Sequence, residues 1–440
     1  MTCLAMLSNR LKDFVKSLPS LKLVKGPFSS DFEISKLLFN NMNTPIWVDE
    51  PFGDKNVVVS NIFSSKKILS LALGCDEPNL LDTFSKAIKE TLAEGERLSL
   101  RKQNIKDSFL ELKELNRKIM PFFQYFEGDK GPYITSSVVI AKNDELNYLN
   151  ASVHRLLVVN EKNLVIRMVE GRHLHKIYEK NRKDGKNTEV AILIGASPQI
   201  LLSASTTLPL GVSELILASK IKSSEIDVTE DITENFVVPI EAEYIILAEI
   251  SKDEFAEERM ADILLTYDTT RKQPVVKIKK IYMKNDSIYH AILPGGLEHK
   301  LLMGFPRMAA IKHALIEKGI KVKDVNLTPG SGGWLHAVVS IEKVSESDGK
   351  DTIITVLNEH RSVKGVVVVD DDIDVSSYED VDFAIATRLK ERNQIIWIDG
   401  LRGSTLDPSA DQDNQTTIKW GIDLTLKGID KSKYKKARIP

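Results

Sequence analysis

Between Asn56 and Ile62 the chain reads NVVVSNI, a short apolar run closed by polar and charged residues, which fits a strand better than a helix. Residues 4–18 instead carry apolar side chains at helical spacing and stop at Pro19, which predicts an amphipathic helix. Residues 79–118 are charged, helical in spacing and interrupted at Gly95, and predict helices leading into a connector. From Gly131 the period changes. TSSVVIAKN, HRLLVVN, NLVIRMV, EVAILIGAS and PVVKIKKIYM are β-rich, several with period-2 alternation, and are separated by turn residues. They predict an antiparallel sheet or barrel, interrupted by helices near 174–181 and 212–222. After about Gly304 the pattern becomes α/β: a helix over 306–318, a strand over 334–341, a β-branched run over 363–369 typical of a buried strand, and a helix over 378–390. The fold class expected is α+β, with an N-terminal α/β domain (1–115), a central antiparallel β domain (116–305) and a C-terminal α/β domain (306–440). No internal repeat is visible.

Composition narrows the class. The 440 residues are 42% hydrophobic and 28% charged, with a formal net charge of −2. Such a balance provides no whole-chain field for nucleic acid or anionic membrane. The one basic run, 431–438, reads as a solvated C-terminus. Cys3 and Cys75 are far apart and form no CxxC, so neither a disulfide framework nor a zinc knuckle is signalled. The first residues lack a signal-peptide core, and no stretch approaches 18 uninterrupted apolar residues. A cytoplasmic protein with no nucleic-acid or membrane partner is expected.

Several clusters could carry chemistry. Asn150 to His175 holds an amide, the arginines Arg155, Arg167 and Arg172, and the histidines His154, His173 and His175. Guanidinium forks suit a phosphate-bearing ligand, and an amide oxygen with an imidazole suits a divalent cation. Surface arginines on a histidine-bearing loop would look the same. Glu257 and Asp262 could flank one reacting centre, one held ionised and the other able to carry a proton, or could simply line a charged face. Glu214 after Ser213 reads as a first-turn helix charge beside a cap. Asp370 to Asp374 reads as turn and capping acids at a strand end rather than a metal site. TPGSGG (328–333) has neither the lysine of a P-loop nor the GxGxxG pattern, and no serine-hydrolase elbow or HExxH is present. PGGLEH (294–299) is a tight turn followed by an acid and a histidine that could line a pocket.

Taken in order, these clusters resemble the UbiD family of decarboxylases. Asn150-Ala-Ser-Val-His-Arg155 resembles the family's Asn-x4-Arg, Arg167-Met-Val followed by Arg172-His173 resembles a flavin-contacting segment, and GVSE places Glu214 on a metal-binding glutamate. Glu257 and Asp262 keep the E-x4-[DE] spacing of the acid pair, although the intervening Glu-Arg-Met-Ala replaces the Gly-Pro-containing turn of many relatives. VVVVDDDIDV with Ala384 to Arg388, and Lys419-Trp-Gly-Ile-Asp423, resemble C-terminal signatures. The resemblance covers about 131–426. It implies a split β-barrel that binds prenylated FMN through Val153, His154, Arg155, Arg167, Met168, Val169, Arg172 and His173. It implies Mn2+ (or Mg2+) on Asn150, His173 and Glu214, with K+ as a further ion. It implies a catalytic set in which Glu257 orients Arg155 and Asp262 returns a proton to carbon.

The implied partners are an unsaturated carboxylic acid substrate, a flavin prenyltransferase that supplies the cofactor, and further copies of the chain in a homodimer or larger homo-oligomer. Tyr267-Asp268, RKQPV (271–275) and LPGGLEHKLLM (293–303) resemble the archaeal branch, which implies trans-anhydromevalonate 5-phosphate as the acid. The competing readings are an aromatic-acid decarboxylase of the same family, an inactive cofactor-binding scaffold and a general flavin oxidoreductase.

Overall fold

In the computed structural model the alternating segments after Gly131 close into an antiparallel barrel. Its strands are Tyr133–Asn143 (β1), Tyr148–Val158 (β2), Asn163–Ile166 (β3), Thr188–Ile194 (β4), Tyr244–Glu258 (β5) and Arg271–Lys284 (β6). They run in the order β5-β4-β1-β2-β3-β6, and β5 pairs with β6 to complete the ring. Side chains at alternate positions fill it: Tyr244, Ile246, Ala248 and Ile250 of β5 share a core with Val139 and Ala141 of β1 and Val190, Ile192 and Ile194 of β4.

The structure describes residues 9–94, 98–267, 269–411, 413–426 and 431–434. The chain forms two units, Met1–Leu302 and Met303–Pro440. Within the first, a four-stranded sheet is built from Lys22–Lys25, Ile46–Asp49, Val57–Ser60 and Tyr289–His290. NVVVSNI therefore does contain a strand. Of the expected N-terminal helix, Leu11–Ser17 is helical. Residues 1–8, with Cys3, and 435–440 of the basic tail lie outside the described residues, as does Asp268.

The helical expectation for 79–118 holds only for Leu80–Glu94. Beyond it, Leu100–Lys102 pairs with Ile226–Thr229 and Phe109–Leu112 pairs with β6. Phe109 is buried in this sheet while the charges beside it face outward, so tertiary pairing overrides the local spacing.

Three helices present the site: His173–Lys183 (α1), Glu214–Lys222 (α2) and Leu297–Glu317 (α3). Helix α3 starts well before the expected 306, so His299 lies in its first turn. Its neighbour Glu298 is fully buried and accepts hydrogen bonds from the backbone N–H groups of Asn61 (2.7 Å) and Ile62 (3.1 Å), and pairs with His290 Nε2 at 2.9 Å.

The second unit has a five-stranded sheet in the order Lys321–Leu327, His336–Glu342, Gly365–Asp370, Thr416–Asp423, Ile395–Arg402. The acid run after Gly365–Asp370 is structural. Asp370 and Asp372 pair with buried Arg388 (3.0 and 2.7 Å), and Asp374 Oδ1 closes a turn on the Ser376 N–H. Among the described residues, no helix is long and apolar enough to cross a membrane.

Replacing Glu298 by Ala strands two buried N–H donors and His290. The expected loss is roughly 2–5 kcal/mol of stability in the first unit. Urea unfolding of the variant beside the wild type checks it.

Candidate active site along an open barrel edge

Strand β3 is four residues long and pairs with β2 only at Leu156–Val158. Among the described residues, β2 from Tyr148 to Arg155 is therefore paired on the β1 side alone. In the middle of this otherwise buried strand, residues 152–155 are all partly exposed. Antiparallel pairing alternates which residues turn their backbone groups to the open side. The Ala151 N–H donates to Glu214 Oε2 at 2.9 Å, and the Arg155 carbonyl accepts from the Arg167 N–H at 3.2 Å. By the same alternation, Val153 between them faces its N–H and C=O to the open edge.

At one end of this edge lies a cation-type cluster. Asn150 and Glu214 are both buried, and Asn150 Nδ2 lies 3.2 Å from Glu214 Oε2. Ser213 caps α2 by accepting from the Leu215 N–H, so the first-turn reading of Glu214 is right about the helix. Its carboxylate nevertheless reaches across to β2. His173 Nδ1, at the start of α1, is 3.8 Å from Glu214 Oε1. Ser152 Oγ lies 3.2 Å from Asn150 Oδ1 and 2.9 Å from His154 Nε2, and His154 Nδ1 lies 2.9 Å from the Arg167 carbonyl. Burial pulls the His154 imidazole down to about 4, against the raising effect of that carbonyl and with the help of the Arg167 charge.

At the other end lies a clamped guanidinium. Arg155 Nε and Nη2 donate to Glu258 Oε1 (2.7 Å) and Oε2 (3.0 Å), a bidentate pair with Glu258 fully buried. The Tyr133 hydroxyl lies 3.0 Å from both Glu258 Oε1 and the Arg259 carbonyl. Burial, reinforced by Glu258, pushes this phenol well above its usual range.

Beyond Glu258 the chain turns into the loop that bears Asp262. Asp129 holds that loop, accepting from the N–H groups of Ala261 (3.0 Å) and Phe126 (2.9 Å). Burial raises the Asp129 carboxyl against these bonds and the charge of Arg155. The Asp262 N–H donates to the Thr266 carbonyl (2.8 Å) and the Tyr267 hydroxyl accepts from the Gly128 N–H (2.9 Å). Gly295 packs against the same loop: a Cβ there would lie 2.4 Å from Leu265 Cδ2, so only glycine admits this approach. The contact brings in His299, whose Nδ1 accepts from the Gly295 N–H at 3.1 Å. Burial pulls this imidazole down to about 4, while Asp262 raises it and Arg155 and Lys300 lower it.

One expected residue is displaced. Glu257 does not orient Arg155. It points outward, ion-paired with Lys130 at 2.7 Å, and that hydrogen bond lowers its pKa. At the end of β5, beyond an irregularity in the pairing between Ile250 and Phe255, Glu258 is buried and points in while Glu257 is exposed and points out.

Of the expected flavin contacts, Val153, His154 and Arg155 lie on the open stretch of β2. Arg167 Nη1 donates to the Met168 carbonyl (2.5 Å), Met168 is buried with its N–H on Gln273, and Val169 is half exposed. Arg172 precedes α1 and reaches Thr207 Oγ1 at 3.3 Å. Tyr133, Asp129, Ser152 and Glu258 were not expected. Tyr133, Asp129 and Glu258 act through partners distant in the chain, which weakens their sequence signal, whereas Ser152 lies two residues from both Asn150 and His154, a strand spacing visible in the sequence.

Asn150 and Arg155 are five strand positions apart, about 17 Å, with side chains on opposite faces. A ligand touching both must run along the open edge. Asn150, Glu214 and His173 are the groups at one end that could hold a cation, and Arg155 is the group at the other that could meet an anionic or planar part of an extended ligand such as a flavin nucleotide. Two ionisable ligands and an amide oxygen suit a hard or borderline divalent ion.

This combination of barrel, clamped arginine and acid loop defines a flavin-nucleotide carboxy-lyase architecture, and comparison with known proteins agrees. Residues 99–297 match the Rift-related domain of 3-octaprenyl-4-hydroxybenzoate carboxy-lyase (UbiD), and residues 300–424 match its C-terminal domain. The chain belongs to the UbiD family. It is 40% identical to an anhydromevalonate phosphate decarboxylase of Methanocaldococcus jannaschii, over 93% of this chain and 95% of the relative. It is 35% identical to the protein of that name in Aeropyrum pernix, over 98% and 96%. The UbiD-class enzyme HmfF of Pelotomaculum thermopropionicum, solved with FMN, superposes with a TM-score of 0.90 at 28% identity, covering 98% of this chain and 96% of that one.

His154 and His299 stay neutral in the folded chain at pH values where the unfolded chain, near 6.5, takes up protons. The contribution of these two histidines to folding stability is therefore constant above about pH 6.5 and turns unfavourable as pH drops from 6.5 towards 4. Replacing His154 by Gln should remove about one proton from that dependence. Denaturant midpoints between pH 4.5 and 7 read it out; equal slopes in both chains would mean that His154 is charged when folded.

Proposed function

We propose that this protein is a prenylated-FMN-dependent decarboxylase that converts trans-anhydromevalonate 5-phosphate to isopentenyl phosphate and CO2. The observation that carries the reading is the buried Glu258 clamp on Arg155, placed beside the loop of Asp262. The archaeal relatives named above favour the substrate.

The chain's own groups divide the work. Arg155 is held in a fixed plane by Glu258, whose carboxylate accepts in turn from Tyr133, so the guanidinium is set to receive a substrate carboxylate without reorganisation. Asp262 lies in the same charged surround as Arg155 and His299, and donates a proton to the carbon that carried the carboxylate. His299 presents its Nε2–H, because Nδ1 already accepts from Gly295. Asn150, Glu214 and His173 would hold Mn2+ or Mg2+, with K+ as a further ion, and that charge would offset the negative charge of the cofactor phosphate. Bound along the β2 edge, prenylated FMN supplies the electron sink that lets the bond to CO2 break. A flavin prenyltransferase supplies that cofactor, and the chain works in the cytoplasm as a homodimer or larger homo-oligomer.

Replacing Glu258 by Gln should lower kcat/KM about 10²-fold or more, whereas Glu257→Gln should stay within about threefold of wild type. The reverse order in a CO2-release assay would restore Glu257 as the partner of Arg155. Asp262→Asn should stop turnover while FMN still binds, measured by flavin fluorescence beside product formation. Wild-type turnover in that variant would remove Asp262 from the reaction.

A further inference from the structure

The cation end of the open edge has one proton too few. Asn150 Nδ2 faces Glu214 Oε2 and its Oδ1 faces Ser152 Oγ, each at 3.2 Å. Ser152 Oγ is also 2.9 Å from His154 Nε2, and His154 Nδ1 is 2.9 Å from the Arg167 carbonyl. A carbonyl only accepts, so Nδ1 carries the ring proton and Nε2 of the neutral ring accepts. The single Ser152 proton goes to Nε2. Asn150 Oδ1, on a residue 1% exposed, is then left opposite an oxygen with no proton to give.

Half a turn of the Asn150 amide resolves this, because it exchanges oxygen and nitrogen between the same two positions. Nδ2 then donates to Ser152 Oγ, and Oδ1 comes to lie beside Glu214 Oε2. Two oxygens so placed repel each other unless a cation sits between them. In the turned form each contact from Asn150 through Ser152 and His154 to Arg167 pairs a donor with an acceptor.

We infer that Ser152 is a positioning residue for the cation site: it receives the Asn150 amide N–H when that amide turns its oxygen, with Glu214, onto a divalent ion. This rests on the reading of Asn150, Glu214 and His173 as the ion's ligands. Ser152 does not touch the ion. It sets which end of the amide faces it, as hydrogen-bonding partners behind metal ligands do elsewhere.

The test is Mn2+ titration of the purified full chain at saturating FMN, followed by the electron paramagnetic resonance signal of free Mn2+. The wild type should take up Mn2+ and Glu214→Gln should abolish uptake. Ser152→Ala should weaken the Kd about tenfold, and Ser152→Thr, which keeps the hydroxyl, should restore it to within about threefold. A Ser152→Ala Kd equal to wild type, or a Ser152→Thr chain as weak as Ser152→Ala, overturns the inference while leaving the cation site standing. A wild-type chain that takes up no Mn2+ overturns the cation reading and this inference together.

Discussion

A strand inside a closed barrel has lost a neighbour along most of its length, and the site is what fills the gap. Strand β3 stops after four residues, so β2 from Tyr148 to Arg155 has one free side. Backbone N–H and C=O groups left unpaired in a half-buried position are costly. The protein satisfies the two ends itself, with the Glu214 carboxylate on Ala151 and the Arg167 N–H on Arg155. Val153 between them turns its polar groups to the free side. The same missing neighbour that would weaken the sheet makes a groove that is rigid, extended and polar at regular intervals.

Charge is arranged along this groove by burial. Glu258 is fully enclosed, and taking it and Arg155 out of water costs more than an exposed pair could return. Its value lies in geometry: two bonds and a phenol fix the guanidinium plane. Asn150 and Glu214 at the far end are as deeply buried but have no guanidinium or ammonium partner among the described residues, only His173 at 3.8 Å. One end of the strand is thus neutralised from within, and the other is left to be neutralised by what binds.

The barrel was legible because its strands alternate cleanly and are bounded by turn residues. The motif around Asn150 and Arg155 was legible because short-range spacing on one strand survives in the sequence. Phe109–Leu112 was not, since its charged neighbours mimic a helix face and only the partner strand β6 decides otherwise. Motif spacing points to Glu257, and the strand pattern does not single out Glu258, because Lys252 and Glu254 break the inward run of Tyr244, Ile246, Ala248 and Ile250 before it arrives and the pairing is irregular between Ile250 and Phe255. Asp129 and Tyr133 are hidden because each matters through a residue that folding brings to it, whereas the i±2 spacing of Ser152 from Asn150 and His154 is present in the sequence.

The loop of Asp262 is moored almost wholly through main-chain groups: the N–H of Ala261 on Asp129, the N–H of Asp262 on Thr266, and the carbonyl of Arg259, which accepts from both Lys130 and Tyr133. Moorings of this kind are indifferent to which side chains the loop displays. The partly exposed Leu264 and exposed Leu265 can therefore be exchanged over evolutionary time to admit acids of different shape, while buried Met260 and Ile263 stay locked in the core and the proton-bearing position stays where the barrel holds it.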